Sequence, residues 1–457
     1  MNISKNNSHQ LLNPSRFFGI LSHRNLYIIG IVSLYACYFL YAFIYPHFLL
    51  SDSIEYINES DNILKGIFYC GKIEKPIHLD LYTKRPPLYP LLLSLLSFFS
   101  KKMILIIIFQ QFIAIFNLLL LKKIVQQIVP DRNYDKCFLL LLLLSPAQFL
   151  YANFVMSEIV LQTFILLLIS EYIYFVQYKK TIFIFRFQLF LIAAILIKPV
   201  FYLFVIPNIF LWLFSASAKG KSWAKSLVLI PLLFLFCYNF WNYNRTGVFQ
   251  YSAIQTINLV NYNTYYFQLN QKGEVAANQW LDSVQTQASR IADYPQRQQF
   301  LTEKATDVLK ENLFSYTIFH IKGVFRFFID PGRFDFVHFF GIDNSNAPGL
   351  LYALNTGGFQ AAFALLWKNG IALIISLLVI FLGNIIKLIG FILFLFRKNI
   401  ALAIRIFIGL LVLYVAFMTG PLGASRFAMP LLPVMIACSC LGFSAYSKCF
   451  STKLGNA

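Results

Sequence analysis

The chain has 457 residues, of which 58% are hydrophobic and only 12% charged, with a formal net charge of +19. A soluble domain carries about a quarter charged residues, so this chain cannot clothe a water-facing surface, and a bilayer is its natural solvent. The apolar runs are continuous and not alternating, which excludes a β-barrel; Lys and Arg gather in short loops between the runs, as the positive-inside rule demands, which argues against nucleic acid as a partner.

In chain order, residues 1–25 are polar and lack a small-residue cleavage site, and read as a short cytoplasmic tail. The first apolar run is Leu26 to about Leu50, followed by a polar stretch from Ser51 to Arg85 and a short run from Pro87 to Phe99. About 13 residues give a helix of roughly 20 Å, too short for a hydrocarbon core of about 30 Å. The short run is therefore expected to lie at the interface or to be re-entrant. Nine further runs follow: Met103–Leu121, Cys137–Tyr151, Val155–Val176, Ile182–Ile197, Val200–Phe214, Leu227–Trp241, Ile371–Phe396, Ala401–Thr419 and Phe427–Tyr446. Ten spans with both termini inside put Arg16, Arg24, Lys122, Lys123, Lys179, Lys180, Lys219, Lys221, Lys225, Arg397, Lys398 and Lys448 in the cytoplasm. Counting the short run as a span would move most of them outside.

The expected fold class is thus all-α and polytopic, with about ten transmembrane helices. Residues 26–243 form an N-terminal membrane module that includes an external loop, 51–100, with juxtamembrane helices. Residues 244–368 form an extracytoplasmic segment, 369–446 the C-terminal spans and 447–457 a cytoplasmic tail. The segment 244–368 is too long for a simple loop, and its stretch from Glu274 to Asn312 has the charge spacing of a polar helix. Seven cysteines are present, most of them in or beside apolar runs, and neither CxxC nor HExxH occurs.

Ionisable groups at a membrane boundary are costly and tend to be functional. Asp52 follows directly on the first run, in Leu50-Ser51-Asp52-Ser53; it reads equally as a helix N-cap and as a catalytic residue. Glu158 sits at an outer turn among apolar residues. Two carboxylates on one face are the minimum for activating an acceptor hydroxyl. Lys84-Arg85-Pro86-Pro87-Leu88-Tyr89-Pro90 would put Arg85 at headgroup depth, where a guanidinium binds phosphate; ordinary interfacial anchoring by Arg and Tyr is the plainer reading. Lys198 before Pro199, Arg245 in Asn244-Arg245-Thr246-Gly247 and Arg426 in Ser425-Arg426-Phe427 are likewise cations at outer ends of runs. They run against the positive-inside trend, and a lipid phosphate would account for them.

The order of these features resembles the GT-C glycosyltransferases, in particular bacterial relatives of the protein O-mannosyltransferases (family 39) and of the aminoarabinose transferase that modifies lipid A. The resemblance extends over most of the chain and is weakest across 244–368. It implies a sugar donor on a polyprenyl phosphate, an acceptor hydroxyl on a lipid, glycan or protein, and inversion at the anomeric carbon, all on the outer face of the cell membrane. Asp52 would be the general base, and Glu158 would orient the acceptor or assist the base. Arg85 would bind the donor phosphate, with Arg426 and Lys198 behind it. Tyr56, Lys84, Tyr89 and Arg245 would support the acceptor or the site. No cofactor is implied, and Ser53, where relatives often carry a second acid, argues against a metal. An O-antigen-type ligase or polymerase and a transporter or flippase are the alternatives. The early Asp52–Pro90 block and the dissimilar halves of the chain speak against each in turn.

Overall fold

The computed structural model describes residues 23–129, 134–215, 222–342, 350–368 and 370–444. Residues 1–22 and 445–457, with Arg16 and Lys448, and the loop cations Lys219 and Lys221 lie outside the described residues, and the first helix begins within the expected N-terminal tail. Among the described residues every regular element is helical. The helices that matter here are α1 (His23–Ile44), α2 (Ser53–Ile63), α3 (Leu88–Ser97), α4 (Met103–Ile128), α5 (Asp135–Leu143), α6 (Ala147–Asn153), α7 (Glu158–Tyr178), α8 (Thr181–Ile197), α9 (Val205–Ser215) and α10 (Ile230–Thr246). They continue as α11 (Tyr265–Lys272), α12 (Glu274–Ser289), α13 (Tyr294–Glu311), α14 (Leu313–Ile329), α15 (Arg333–Phe339), α16 (Leu350–Lys368), α17 (Ile371–Leu395), α18 (Leu402–Met418) and α19 (Ser425–Phe443).

Six of the described helices are long and apolar enough to cross a membrane: α1, α4, α7, the stretch Ser226–Thr246 that ends in α10, α17 and α19. A seventh crossing is available if α5 and α6, bent by 76° at their junction, act as one. Helices α8 and α18 have 17 residues each and, with Pro199–Leu213, fall short of that length. The protein is therefore a helical membrane protein by its apolar helices, and each of the ten apolar runs is helical over most of its length.

Side-chain pairings fix how the helices run. Gln110, Asn117 and Gln127 of α4 bond in order to Phe154, to Ile159 and Gln162, and to Tyr174, so α4 and α7 are parallel. Tyr27 near the start of α1 reaches Leu118 and lies under Lys122, both in the second half of α4, so these two are antiparallel. The chain thus leaves α1 and enters α4 at one end of the bundle. Helix α3 lies against α2 at that same end, with Ser94 donating to the Ser60 carbonyl at 2.9 Å. At the other end Lys122 pairs with Asp135 at 2.7 Å, its ammonium 3.9 Å above the Tyr27 ring. The buried Lys387 of α17 donates to Ser145 Oγ at 2.5 Å, at the break between α5 and α6. There a cation meets the carbonyl end of a half-helix, which favours positive charge.

Candidate functional site

The local sequence explains how each charged side chain comes to the same end of the bundle. After α1 the chain runs without regular structure to Leu50. A tight turn follows, in which the Leu50 amide donates to Ser53 Oγ at 2.9 Å, and α2 begins. Asp52 stands at the N-cap position of α2 but its side chain makes no capping bond. The capping alternative is thereby set aside: both carboxylate oxygens point to arginines. Lys198 lies between α8 and a 3₁₀ turn, extended because Pro199 follows it. Glu158 is the first residue of α7, where the helix dipole favours a carboxylate.

These residues make one network. Arg85 Nη2 is 2.8 Å from Asp52 Oδ1, and Arg85 Nε donates to Glu55 Oε2 at 2.6 Å. Lys84 holds the other Glu55 oxygen at 2.6 Å. Arg426 Nη2 donates to Asp52 Oδ2, and Arg426 Nε donates to Glu158 Oε1 at 2.9 Å. Lys198 also pairs with Glu158 Oε1. Burial raises the Asp52 carboxyl, but the guanidiniums of Arg426 and Arg85 outweigh it and hold Asp52 well below the usual carboxylate range. Three carboxylates face four cations, so the cluster carries one surplus positive charge.

The cluster forms part of the wall of a cavity of about 1600 Å³. Ligand pockets usually measure about 300–1,000 Å³, so this one has room for two substrates side by side. Asp52, Glu55, Lys84, Arg85, Lys198 and Arg426 line it, and aromatic and apolar side chains including Tyr202, Tyr262, Tyr266, Phe319 and Phe334 form much of the rest. Glu158 is fully buried and does not reach the cavity; it holds Lys198 and Arg426 from behind, with Oε2 unpaired. Tyr56 and Tyr89 are buried as well: Tyr56 lies under Arg85 and meets Ser157 Oγ at 3.2 Å, while Tyr89 donates to Gln110 at 2.6 Å. Arg245 stands apart, stacked on Trp241 and bonded to Asn242 and the Phe68 carbonyl. The structure therefore brings five of the nine expected residues to the cavity, places Glu158, Tyr56 and Tyr89 behind it, and leaves Arg245 elsewhere.

Several ionisable cavity residues escape the sequence reading, among them Glu55, Arg326, Asp330 and Asp335. Asp330 Oδ2 accepts the Ser425 amide at 2.6 Å and Asp330 Oδ1 the Gly332 amide at 3.3 Å, so it caps the start of α19 from a distant loop. Asp335 accepts Ser425 Oγ at 3.5 Å. Burial pushes its carboxyl up to about 7, against the pull of Tyr151 and Arg426. Helix α14 crosses the loop before Ser425 so closely that a methyl on Gly323 would collide with the Gly420 carbonyl oxygen and come within 2.6 Å of Pro421 Cα. Glu55, three residues after Asp52, was findable from helical spacing. The aspartates were not, because nothing in sequence ties 330–335 to 425.

The protein-family models, the curated proteins and the solved structures compared with this chain give no match.

Proposed function

We propose that the protein is a GT-C-type glycosyltransferase that moves a sugar from a polyprenyl-phosphate donor to an acceptor hydroxyl on the outer face of the cell membrane. The observation that carries this reading is the convergence of Arg85, Arg426, Lys198 and Lys84 with Asp52 on one large, partly apolar cavity at one end of a helical membrane bundle. A surplus of cations beside an apolar wall suits a lipid-linked phosphate, and the volume suits donor and acceptor together. In the transfer the acceptor oxygen attacks the anomeric carbon as the bond from that carbon to the phosphate oxygen breaks. The electron pair leaves with polyprenyl phosphate, and Asp52 takes the hydroxyl proton. Such a leaving group needs positive charge and no general acid. Ten spans with both termini inside would put this end of the bundle outside.

The reading is tested with purified protein in liposomes given a radiolabelled polyprenyl-phosphate sugar and envelope lipids or glycans. Sugar transfer lost in the absence of donor or protein supports it. No binding of any polyprenyl-phosphate sugar overturns it, as would reporter fusions at Lys123 and Asp293 that report the same side of the membrane.

A further inference from the structure

A base works best when its pKa lies near the working pH. Asp52 as it stands is a poor one, since both its oxygens are occupied by guanidiniums. The two arginines are arranged alike. Each gives its Nη2 to Asp52 and its Nε to a second carboxylate, Arg85 to Glu55 and Arg426 to Glu158. A guanidinium has five N–H groups in a rigid fork. Release from Asp52 therefore does not set either arginine adrift: the Nε edges stay held, and Arg85 also keeps the Tyr56 ring 5.3 Å beneath it.

We propose that the donor's phosphate is what turns Asp52 into a base, by taking over the Nη2 edges of Arg85 and Arg426 while Glu55 and Glu158 keep both guanidiniums in place by their Nε edges. This rests on the function proposed above and deepens it: Glu55 and Glu158 become positioning residues, and the donor must bind before the acceptor can react. Charge supports it. The surplus positive charge of the cluster is cancelled by the single negative charge of a phosphodiester. When Asp52 gains the acceptor's proton, the departing phosphate monoester gains a second negative charge, so the cluster is neutral before and after transfer. The groups that face Asp52 are Arg85, Arg426 and, farther off, Lys198, with Tyr56 beneath Arg85; Glu55 and Glu158 act through the arginines. Once the phosphate neutralises the arginines, the upward push of burial on Asp52 is opposed only by the more distant Lys198.

The test measures proton linkage, which needs no turnover. A short-chain prenyl sugar phosphodiester, whose own ionisation lies far below the range used, is bound to the full-length protein in detergent. Calorimetry is run at about pH 5 in two buffers of different ionisation heat, where a rise in a carboxyl pKa appears as proton uptake. Uptake is expected in the wild type and absent in Asp52→Asn. The same variant is expected to bind the diester as tightly as wild type or up to about tenfold tighter, since a competitor for the arginines is gone, while transfer falls by about 10²–10⁴-fold. Glu55→Gln is expected to weaken diester binding by about tenfold, the size of one charge-assisted hydrogen bond. Binding without linked uptake in the wild type overturns this inference alone, as does uptake that persists in Asp52→Asn or diester binding weakened more than tenfold by that change. Failure of the wild type to bind the diester overturns the proposed function and this inference with it.

Discussion

Two buried polar networks lie one helical turn apart on α7, and they are built differently. At Glu158 the network is ionic, borders a cavity and leaves one carboxylate oxygen without a partner. At Gln162 it is neutral and closed. Gln162 and Gln148 exchange amide bonds at 3.0 and 3.1 Å, Gln148 also reaches Tyr35 at 2.9 Å, and Asn117 bonds to Gln162 and Thr163. Amides satisfy one another at little desolvation cost, so a neutral network is sufficient to fix helix register in an apolar core. Buried ions are far more costly and add little net stability over apolar side chains. A protein that already holds its helices with amides has no structural need for seven ions beside a cavity. Their placement makes sense as preparation for a charged ligand.

That contrast can be broken experimentally, first at Arg426. Arg426→Ala removes a cation from both Asp52 and Glu158 and leaves Glu158 buried with Lys198 alone. Breaking a buried pair costs about 3–5 kcal/mol, so a fall in the thermal midpoint and loss of sugar transfer are expected together. Adding Glu158→Gln should restore none of the transfer and should lower the midpoint further, because Lys198 then loses the carboxylate it is paired with. If the double variant regains both, the ionic network is merely structural. Arg85→Ala comes next. It is expected to weaken donor binding by about 10–100-fold, with Arg85→Lys keeping part, because charge survives and the fork does not. Unchanged donor affinity would remove Arg85 from the site.

On the neutral side, Gln162→Leu should lower stability by about 1–3 kcal/mol, the cost of stranding buried partners, and the double change Gln148→Leu, Gln162→Leu should cost less than the single changes combined. Donor affinity should stay within about twofold; a larger shift would mean that the two networks are one.

A separate test concerns Glu59, one turn beyond Glu55 on α2. Burial pushes its carboxyl up to about 8, although Arg245 and Arg85 pull it down. A carboxyl raised above its unfolded value contributes stability that is complete below the unfolded pKa and is lost as pH rises through the folded one. Wild type should therefore lose stability between about pH 4.5 and 8, while Glu59→Gln should not. The variant's melting temperature should exceed wild type at pH 8 and match it near pH 4.5. A gain of equal size at both pH values would show that Glu59 does not titrate in that window.

The outline of the fold was legible in the sequence because hydrocarbon demands long apolar helices. The sequence could not show that α5 and α6 bend by 76°, or that Lys387 meets Ser145 at that break. At the site, Asp52, Arg85, Lys198 and Arg426 were legible as charges at the ends of apolar runs. The part each plays was not. Glu158 looked like a group for the acceptor because burial is invisible in a lone sequence, and Arg245 looked like its fellow cations although Trp241 and Asn242 hold it elsewhere. Asp330 was hidden for a different reason: its partner, the Ser425 amide, is 95 residues away.

The contact between Gly323 and the loop at 420–423 concerns what the segment 244–368 is free to become. On the function proposed above, residues 244–368 would carry acceptor choice, so change there is expected to be tolerated along most of its length. At one point it is not. Gly323 lies against Gly420 and Pro421, and Gly423 lies against the Gly323 carbonyl oxygen and Arg326 Cβ. The spacing is set by hydrogen atoms where other residues have carbon. A single methyl at Gly323 would push the loop and carry Arg426 with it, although position 323 makes no bond to any ion of the cluster. The segment 244–368 can diversify around that crossing but not through it.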